Sequence, residues 1–283
     1  MHFSRRVRTF LGSSAAALTL VLGAQPAAAV EPAPATFEGL VDGPNYHWRN
    51  DPEAQIMAQH LGPVLHRVPG SWFNAPDIPG ESRDVQATGK ALFGPSTPIF
   101  VGSNKMCTLA VAGYDQHGNK VGITAGHCGN PGDEVFSADA PQVGAAGNIV
   151  QVSPELDYAL VQFNDRAELT RSYSGVTINA VGGQAALGQQ LCKKGVATGY
   201  TCGIAWDAYN AQVCAMQGDS GAPMFMGDRL IGVISGGNPV VPAGTCSTPW
   251  QGPLHMPTVS SSIDAILADL DAQGGVGAGF QLA

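Results

Sequence analysis

From about residue 96 onward, short apolar runs alternate with turn residues. Runs of this kind, bounded by turns, are typical of β-strands. The pattern predicts strands at Cys107–Ala112, Lys120–Thr124, Asn148–Val152, Tyr158–Phe163, Gly175–Asn179, Pro223–Met226 and Leu230–Ser235. Many short strands without intervening helices favour antiparallel sheets arranged as a sandwich or as barrels. The sequence therefore predicts an all-β fold.

One helix is predicted after the last of these strands. Ile263, Ile266, Leu267 and Leu270 follow the i, i+3, i+4, i+7 spacing of one buried helical face. Ser262 stands directly before them, where a hydroxyl group can cap the first turn. We expect a C-terminal helix that packs on the strands.

The stretch before residue 96 has a different character. Ten of the twenty prolines fall between residues 32 and 98. Asp51-Pro52 is a good helix start, and Gly62-Pro63 predicts the end of that helix. Residues 71–94 lack sustained periodicity. We interpret residues 30–95 as a pro-segment or an N-terminal extension, two readings that the sequence alone does not separate.

The first 29 residues have the features of an export signal. Three arginines between positions 5 and 8 precede an apolar stretch from Phe10 to Leu22, and Ala27–Ala29 supplies a small-x-small cleavage site. The apolar stretch is too short to span a bilayer, which takes about 20 residues. Paired arginines also occur in twin-arginine signals, so the route, Sec or twin-arginine, stays open. We expect a secreted protein with no integral membrane segment after signal removal.

Composition narrows the classes of partner. Of the 283 residues, 13% are charged and 44% are hydrophobic, with 37 glycines and 20 prolines. This suits a turn-rich β protein and is too apolar for a disordered chain. The formal net charge is −8, and removing residues 1–29 leaves 11 basic against 22 acidic residues. Basic runs never exceed two residues, so nucleic acid and anionic membranes are poor candidate partners.

Six cysteines follow the predicted signal: Cys107, Cys128, Cys192, Cys202, Cys214 and Cys246. An even count in an exported chain predicts disulfides and leaves their pairing open. A metal site is the alternative, but the sequence has no C-x-x-C pair and no clustered histidine ligands. It also lacks a phosphate loop and a dinucleotide fingerprint. We therefore expect three disulfides, no metal and no other cofactor.

Three segments carry residues suited to hydrolysis by a serine. They are Thr124–Cys128 (TAGHC) with His127, Leu156–Val161 (LDYALV) with Asp157, and Gly218–Pro223 (GDSGAP) with Ser220. A nucleophilic serine needs a base within hydrogen-bond reach, a carboxylate that fixes the tautomer of the base, and N–H donors for the oxyanion. All the required residue types are present. The plainer alternatives are a structural histidine, a strand-end cap and a turn serine.

With these segments the sequence resembles the chymotrypsin-like (trypsin-fold) serine proteases, in particular their small secreted bacterial branch of streptogrisins and alpha-lytic protease. The resemblance covers roughly Lys105 to Leu270 and includes the family's chain order His, Asp, Ser. Subtilisins and α/β-hydrolases use other orders, and Ala222 breaks the hydrolase motif G-x-S-x-G. The resemblance implies two packed antiparallel β-barrels with the catalytic cleft between them.

The resemblance also implies roles. His127 is then the general base and later the acid, Asp157 orients it, and Ser220 attacks the scissile carbonyl. The backbone N–H groups of Gly218 and Ser220 form the oxyanion hole. Glycine suits position 218 because the backbone must turn its N–H inward with no side chain in the way.

Further expectations come from the same resemblance. It implies the disulfide pairs Cys107–Cys128, Cys192–Cys202 and Cys214–Cys246. The bacterial branch carries a basic residue directly after the third cysteine, and here this residue is Lys193. We expect Lys193 to pair with Asp219, because a buried carboxylate needs a partner. The alternative is a solvated surface lysine.

The resemblance implies a substrate pocket formed by Cys214, Gln217, Ser235, Gly236 and Gly237. Cys214 takes the place near the bottom of the pocket, and Ser235–Gly237 resembles the segment that pairs with the substrate backbone. Since no carboxylate is present there, we expect a medium or large apolar side chain and no cleavage after Arg or Lys. Only 12 residues lead from Cys202 to Cys214, fewer than in the family, so we expect changes in one pocket wall and in the second barrel.

The sequence thus predicts a monomeric secreted serine endopeptidase that takes protein or peptide substrates. Its predicted parts are a signal peptide (1–29), the pro-segment or extension (30–95), a chymotrypsin-like protease domain (96–271) and a C-terminal tail (272–283). The alternatives are a catalytically silent secreted binding protein with the same fold, supported by the short 202–214 connection, and a dedicated esterase.

Overall fold

The computed structural model describes residues 46–102, 105–241 and 243–283. The predicted signal peptide and residues 30–45 lie outside this part, so the export signal stays a prediction. Among the described residues, no helix is both long and apolar enough to cross a membrane.

Residues 46–95, the N-terminal arm, are folded. Their elements are β1 (His47–Arg49), α1 (Pro52–Ala58), β2 (Val64–His66), α2 (Gly80–Gln86) and β3 (Ala91–Phe93). Asp51 caps α1 as predicted, accepting a hydrogen bond from the Ala54 N–H at 3.0 Å. The predicted end of this helix at Gly62-Pro63 is wrong, because Gln59 already adopts the left-handed conformation at φ 50°. The irregular stretch predicted at 71–94 contains α2 and β3, which are too short to show a period.

The next part of the chain forms a series of seven strands. They are β4 (Pro98–Val101), β5 (Lys105–Thr108), β6 (Val111–Tyr114), β7 (Lys120–Ala125), β8 (Glu134–Ser137), β9 (Gly147–Ser153) and β10 (Tyr158–Phe163). Two short 3₁₀ turns, Gly126–Cys128 and Pro141–Val143, interrupt the series. The first of these turns carries His127.

The remainder is also mostly strand. Its elements are β11 (Ala167–Leu169), β12 (Ser172–Tyr173), β13 (Val176–Thr177), β14 (Ala180–Val181), β15 (Gln190–Gly195), β16 (Gly199–Ile204), β17 (Asn210–Ala211), β18 (Pro223–Met226), β19 (Arg229–Gly237), a 3₁₀ turn (Pro249–Gln251), β20 (Thr258–Ser262), α3 (Ile263–Gln273) and β21 (Gln281–Leu282).

Two large sheets organise these strands. The first has eight strands in the order β21-β6-β7-β10-β9-β8-β4-β5 and is nearly closed. The second has seven strands, with the order β16-β15-β18-β19-β20-β17 and β14 added to β19. Apart from the parallel pair of β14 and β19, neighbouring strands in both sheets run antiparallel. The predicted all-β class is confirmed.

Two predicted strands differ from the structure. The predicted strand Cys107–Ala112 is divided between β5 and β6, because the Leu109 N–H donates to the Thr97 carbonyl and the Leu109 carbonyl accepts from the Ser96 N–H. The predicted strand Gly175–Asn179 retains only the two residues of β13. The other five predicted strands overlap observed ones, and α3 begins where predicted, after the Ser262 cap.

The N-terminal arm contributes to the hydrophobic core of the first sheet. Phe93 is fully buried in the cluster that contains Ile99, Leu109 and Val161. Through β3 the arm also pairs in parallel with β11. On the other side of the first sheet, α3 packs in a second cluster that draws residues from both sheets. The described part of the arm is therefore built into the fold.

Candidate active site

His127, Asp157 and Ser220 lie side by side, although 93 residues separate the histidine from the serine. The Ser220 hydroxyl donates to Nε2 of His127 at 2.8 Å. Nδ1 of the same ring donates to Asp157, at 3.0 Å from Oδ2 and 3.1 Å from Oδ1. The three side chains form one hydrogen-bond chain along which the imidazole can take the serine proton.

Strand pairing brings the histidine and the aspartate together. His127 follows β7 and Asp157 precedes β10, two paired strands in which Ala125 stands opposite Tyr158. The backbone N–H of His127 also donates to Oδ1 of Asp157 at 2.8 Å. Asp157 adopts the left-handed conformation at φ 44°, which aspartate tolerates better than most residues. Ser220 belongs to the second sheet's part of the chain, where it directly precedes the turn into β18. The Ser220 carbonyl accepts a hydrogen bond from the Thr108 N–H at 2.9 Å.

Asp157 is held ionised by its neighbours. Burial would raise the pKa of its carboxyl group, but hydrogen bonds from His127 and Ser235 outweigh burial and bring the pKa below its usual value. Ser235 was expected to contact substrate. Its hydroxyl donates to Oδ2 of Asp157 and helps to fix the carboxylate, which leaves its backbone as the part that can contact a substrate. The side chain of His127 is 46% exposed, so the base can reach a substrate in the cleft.

Two backbone N–H groups next to the serine hydroxyl are available as donors. In the described part of the chain, the N–H groups of Gly218 and Ser220 donate to no acceptor. Gly218 has φ 98°, a conformation that favours glycine. A Cβ atom there would lie 2.8 Å from Cγ2 of Val68, so a larger residue would also collide with the N-terminal arm.

Comparison with known proteins gives this geometry a context. No family model matches the chain. Streptogrisin-D of Streptomyces griseus is 31% identical over 190 residues, which cover 60% of this chain and 44% of streptogrisin-D. Serine protease 2 of Streptomyces fradiae is 26% identical over 170 residues, covering 53% of this chain and 94% of that protein. The crystal structure of Nocardiopsis protease matches at 25% identity with a TM-score of 0.51, covering 63% of this chain and 96% of that one.

The chain is therefore similar, in sequence and in fold, to chymotrypsin-like serine proteases of bacteria. The predicted resemblance and the chymotrypsin-like fold are thereby confirmed. This chain spans less than half the length of streptogrisin-D. Each of these matches leaves more than a third of this chain uncovered.

Beside the serine of this chymotrypsin-like site lies a buried ion pair. Nζ of Lys193 is 3.2 Å from Oδ2 of Asp219, and both side chains are 0% exposed. Asp219 also accepts from the Ala197 N–H at 2.8 Å and the Thr198 hydroxyl at 2.6 Å. Burial lowers the pKa of Lys193, and the adjacent carboxylate opposes that effect. The alternative of a solvated surface lysine does not fit a side chain without exposure.

Replacing Lys193 by methionine is expected to lower the free energy of unfolding by about 3–5 kcal/mol, because Asp219 would stay buried without its cation. Denaturant unfolding measures this loss. Lys194→Met is the matched control, since Lys194 lies on the same strand but bonds to Ser174 and not to Asp219. Lys194→Met should lower the free energy of unfolding by less than Lys193→Met does. Unchanged folding and unchanged ester turnover in Lys193→Met would show that the pair supports neither the fold nor the loop of the nucleophile.

An apolar hollow of about 330 Å³ opens on one side of Ser220. The residues that line it are Ala215, Met216, Gln217, Ser220, Ile234, Gly236, Gly237, Thr245, Met256 and Thr258, and none of them carries a charge. The expected pocket residues Gln217, Gly236 and Gly237 are among them. Met216 and Ile234 directly precede the predicted pocket residues Gln217 and Ser235 but were not predicted themselves, and Met256 lies outside every predicted motif.

Cys214 does not line this hollow. It lies instead on a separate cavity of about 740 Å³ that also contacts Trp206 and Phe73. The Cys214 carbonyl accepts from the hydroxyl groups of Thr198 and Thr201. The expectation that Cys214 forms the bottom of the pocket is therefore wrong.

The short connection from Cys202 to Cys214 retains a strand, a turn and a strand. It leaves β16 at Ile204, turns at Asp207, and returns through β17. The Asp207 carboxylate closes the turn by accepting from the N–H groups of Tyr209 and Asn210 at 2.7 and 2.8 Å. The connection is short, but the two strands that flank its turn, β16 and β17, both belong to the second sheet.

The structure contains the three disulfide pairs that the resemblance implies. Cys107–Cys128 joins β5 to the turn that carries His127, Cys192–Cys202 joins β15 to β16, and Cys214–Cys246 links two loops next to the substrate hollow. No cysteine among the described residues is free. Cross-links of this kind restrict the unfolded chain and so stabilise the fold around the cleft.

Proposed function

We propose that this chain is a secreted serine endopeptidase that hydrolyses peptide bonds through an acyl-enzyme on Ser220. The observation that carries the proposal is the unbroken hydrogen-bond chain from Ser220 through His127 to Asp157. Three disulfides and no free cysteine among the described residues support an oxidising, extracellular location.

The reaction follows from the positions of these side chains. Oγ of Ser220 attacks the scissile carbonyl carbon while Nε2 of His127 accepts the hydroxyl proton. His127 then donates that proton to the departing amine, the C–N bond breaks, and the acyl group stays on Ser220. A water molecule gives a proton to the same imidazole and attacks the ester carbonyl. The bond to Oγ breaks, His127 returns the proton to Oγ, and the acid is released. Asp157 stabilises the imidazolium that forms in each half-reaction.

We propose the N–H groups of Gly218 and Ser220 as the oxyanion hole. Within the described part of the chain they are unpaired donors next to the attacking oxygen, and backbone donors aimed at developing negative charge are among the largest contributions to acyl-transfer catalysis. The buried pair of Lys193 and Asp219 supports this role, because it anchors the residue between the two donors.

For substrate binding, we propose that residues 235–237 pair with an extended peptide. β18 pairs with β19 only as far as Val233, and the Ala222 carbonyl extends that edge to Ile234. Beyond Ile234, none of the residues that the structure describes pairs with this edge of β19 beside Ser220, as strand addition by a peptide requires. The neighbouring apolar hollow then takes the side chain before the scissile bond.

Peptide profiling should find cleavage after Leu, Met or Phe. Because burying such a side chain in an uncharged hollow contributes about 1.5–3 kcal/mol, we expect kcat/KM to exceed that for Lys, Arg, Asp or Glu at the same position by about 10–100-fold. Met256→Ala should enlarge the hollow and shift the preference towards Phe. A strong preference of the wild type for basic residues would contradict the proposed pocket.

Hydrolysis of casein by the purified protein tests the proposed function against its alternatives. We expect release of peptides from casein together with hydrolysis of small esters, since both pass through the same tetrahedral intermediate. Ester hydrolysis without casein cleavage would favour a dedicated esterase. No turnover of either substrate would favour a silent binding protein.

A further inference from the structure

The N-terminal arm reaches the nucleophile. Val68 is buried against Met106, Val196 and Ala197, and its Cγ2 lies 2.8 Å from where a Cβ atom of Gly218 would stand. Gly218 is one of the two proposed oxyanion donors. The arm therefore touches the catalytic loop itself and not only the back of the fold.

A buried ion pair holds this part of the arm in place. Nη1 of Arg67 is 2.8 Å from Oδ1 of Asp139, and both side chains are 1% exposed. The hydroxyl groups of Tyr46 and Tyr173 donate to the same carboxylate. Loss of the Arg67 side chain alone would leave Asp139 buried without its cation, which is strongly destabilising.

Two hydrogen bonds hold Ser71 and Trp72, shortly after Val68, against the predicted protease domain. The Ser71 hydroxyl donates to the Ala197 carbonyl at 2.6 Å, and the Trp72 N–H donates to the Ser247 carbonyl at 2.8 Å. Both acceptors belong to loops of the predicted protease domain. Val68 and Pro69 are thus held between two anchored points, close to the cleft.

A second hollow lies on the His127 side of Ser220. It measures about 430 Å³ and is lined by Val68, Pro69, Lys105, Met106, Cys107, His127, Gln217, Gly218 and Ser220. Only Gln217 and Ser220 also line the apolar hollow described above. The two hollows therefore flank the nucleophile, and two residues of the second belong to the arm.

The positions of the acyl group and of His127 in the proposed mechanism place the leaving group in this second hollow. In the proposed mechanism the acyl side chain lies in the first hollow, next to Gly236 and Gly237. The departing amine must stay within reach of Nε2 of His127 to receive its proton. The residue after the scissile bond therefore leaves past His127, into the hollow that Val68 and Pro69 border.

We propose that the N-terminal arm remains part of the active enzyme and that Val68 and Pro69 form a wall of the leaving-group subsite, which takes an apolar side chain. This inference rests on the proposed function. Val68, Pro69 and Met106 supply the apolar surface of the subsite, and the Lys105 ammonium group, bonded to the His127 carbonyl, disfavours a basic side chain there. The subsite selects peptides with an apolar residue directly after the scissile bond.

Partition of an acyl-enzyme tests this subsite. N-acetyl-leucine p-nitrophenyl ester acylates Ser220 with release of p-nitrophenol, and added leucinamide, glycinamide or lysinamide competes with water for the acyl group. The amine forms a C–N bond, the ester bond to Ser220 breaks, and the amine proton returns to Oγ through His127. We expect leucinamide to capture the acyl group about tenfold better than glycinamide, and lysinamide no better than glycinamide.

Two variants of the arm probe the wall separately. Val68→Thr keeps the shape of a buried side chain but replaces one of its methyl groups by a hydroxyl group, whereas Pro69→Ala removes an exposed ring with little consequence for folding. Each should lower the leucinamide to glycinamide ratio about threefold or more. Leu61→Ser is the matched control, because Leu61 belongs to the same arm, is 94% exposed and does not line the hollow. Its ratio should equal that of the wild type.

The mass of the acylated chain tests the retention of the arm. The species that carries the acyl group should include residues 46–95. An acylated chain that starts near residue 96, or an equal ratio in the wild type and both variants, would overturn the inference while leaving the proposed function intact. Failure to form any acyl-enzyme would instead overturn the proposed function, and the subsite with it.

Discussion

Alanine at position 220 is expected to abolish casein hydrolysis and to lower kcat for ester substrates by about 10⁶-fold. The reason is that no other atom in the cleft occupies the position from which Oγ attacks, 2.8 Å from Nε2 of His127. Binding and oxyanion stabilisation survive the change, so a small residual rate above that of water should remain. Steady-state kinetics on one ester substrate measures the loss.

Ser172→Ala is a suitable control for this experiment, since Ser172 is an exposed serine in the small hairpin of β12 and β13. Its kcat and KM should match those of the wild type. If Ser220→Ala retained more than about one hundredth of the wild-type kcat, hydrolysis would have to come from another residue.

Asparagine at position 157 is expected to lower kcat by about 10⁴-fold with little change in KM. An amide can occupy the site of the carboxylate, but it cannot hold Nδ1 of His127 protonated and leave Nε2 free to accept the serine proton. The Asp157 carboxylate currently accepts from the His127 ring, the His127 backbone and Ser235. Both kcat and KM for an ester substrate report the effect.

Asp165→Asn provides the matched substitution at an exposed aspartate outside the cleft, and it should leave both constants unchanged. A loss of less than tenfold in Asp157→Asn would mean that the histidine keeps its tautomer without the carboxylate. The orienting role assigned to Asp157 would then be wrong.

Much of the β framework could be predicted from the sequence, because a strand reveals itself locally. The runs Tyr158–Phe163 and Pro223–Met226 coincide with β10 and β18, and the spacing around Ile266 predicted α3. The failures also have local causes. The run Cys107–Ala112 reads as one strand, but Leu109 bonds to residues 96 and 97 and divides it. The end of α1 was misplaced because Gln59 takes a conformation usually left to glycine or asparagine.

The residues of the candidate active site also fall into two groups, those that a local motif indicates and those that it does not. Short motifs surround His127, Asp157 and Ser220, so these residues could be proposed together before their distances were known. Residues that reach the site from far along the chain carry no motif. Met256 and Val68 were missed for this reason, and so was the hydrogen bond that the Ser235 hydroxyl donates to Asp157.

The arm illustrates the limit of composition as a guide. Its prolines and its lack of periodicity suggested a segment apart from the protease domain. In the structure, Phe93 lies in the core and Arg67 neutralises a buried aspartate. Such contacts depend on tertiary packing over long chain separations, which local sequence patterns do not report.

Labelling with a fluorophosphonate probe tests the central claim most directly. The probe bonds covalently to a serine only when a neighbouring base activates the hydroxyl group and donors stabilise the phosphoryl oxygen. We predict stoichiometric labelling of the folded protein, with the adduct located on Ser220 by peptide mapping and lost in His127→Ala. A correctly folded protein that stays unlabelled, or that is labelled at another serine, would contradict the account.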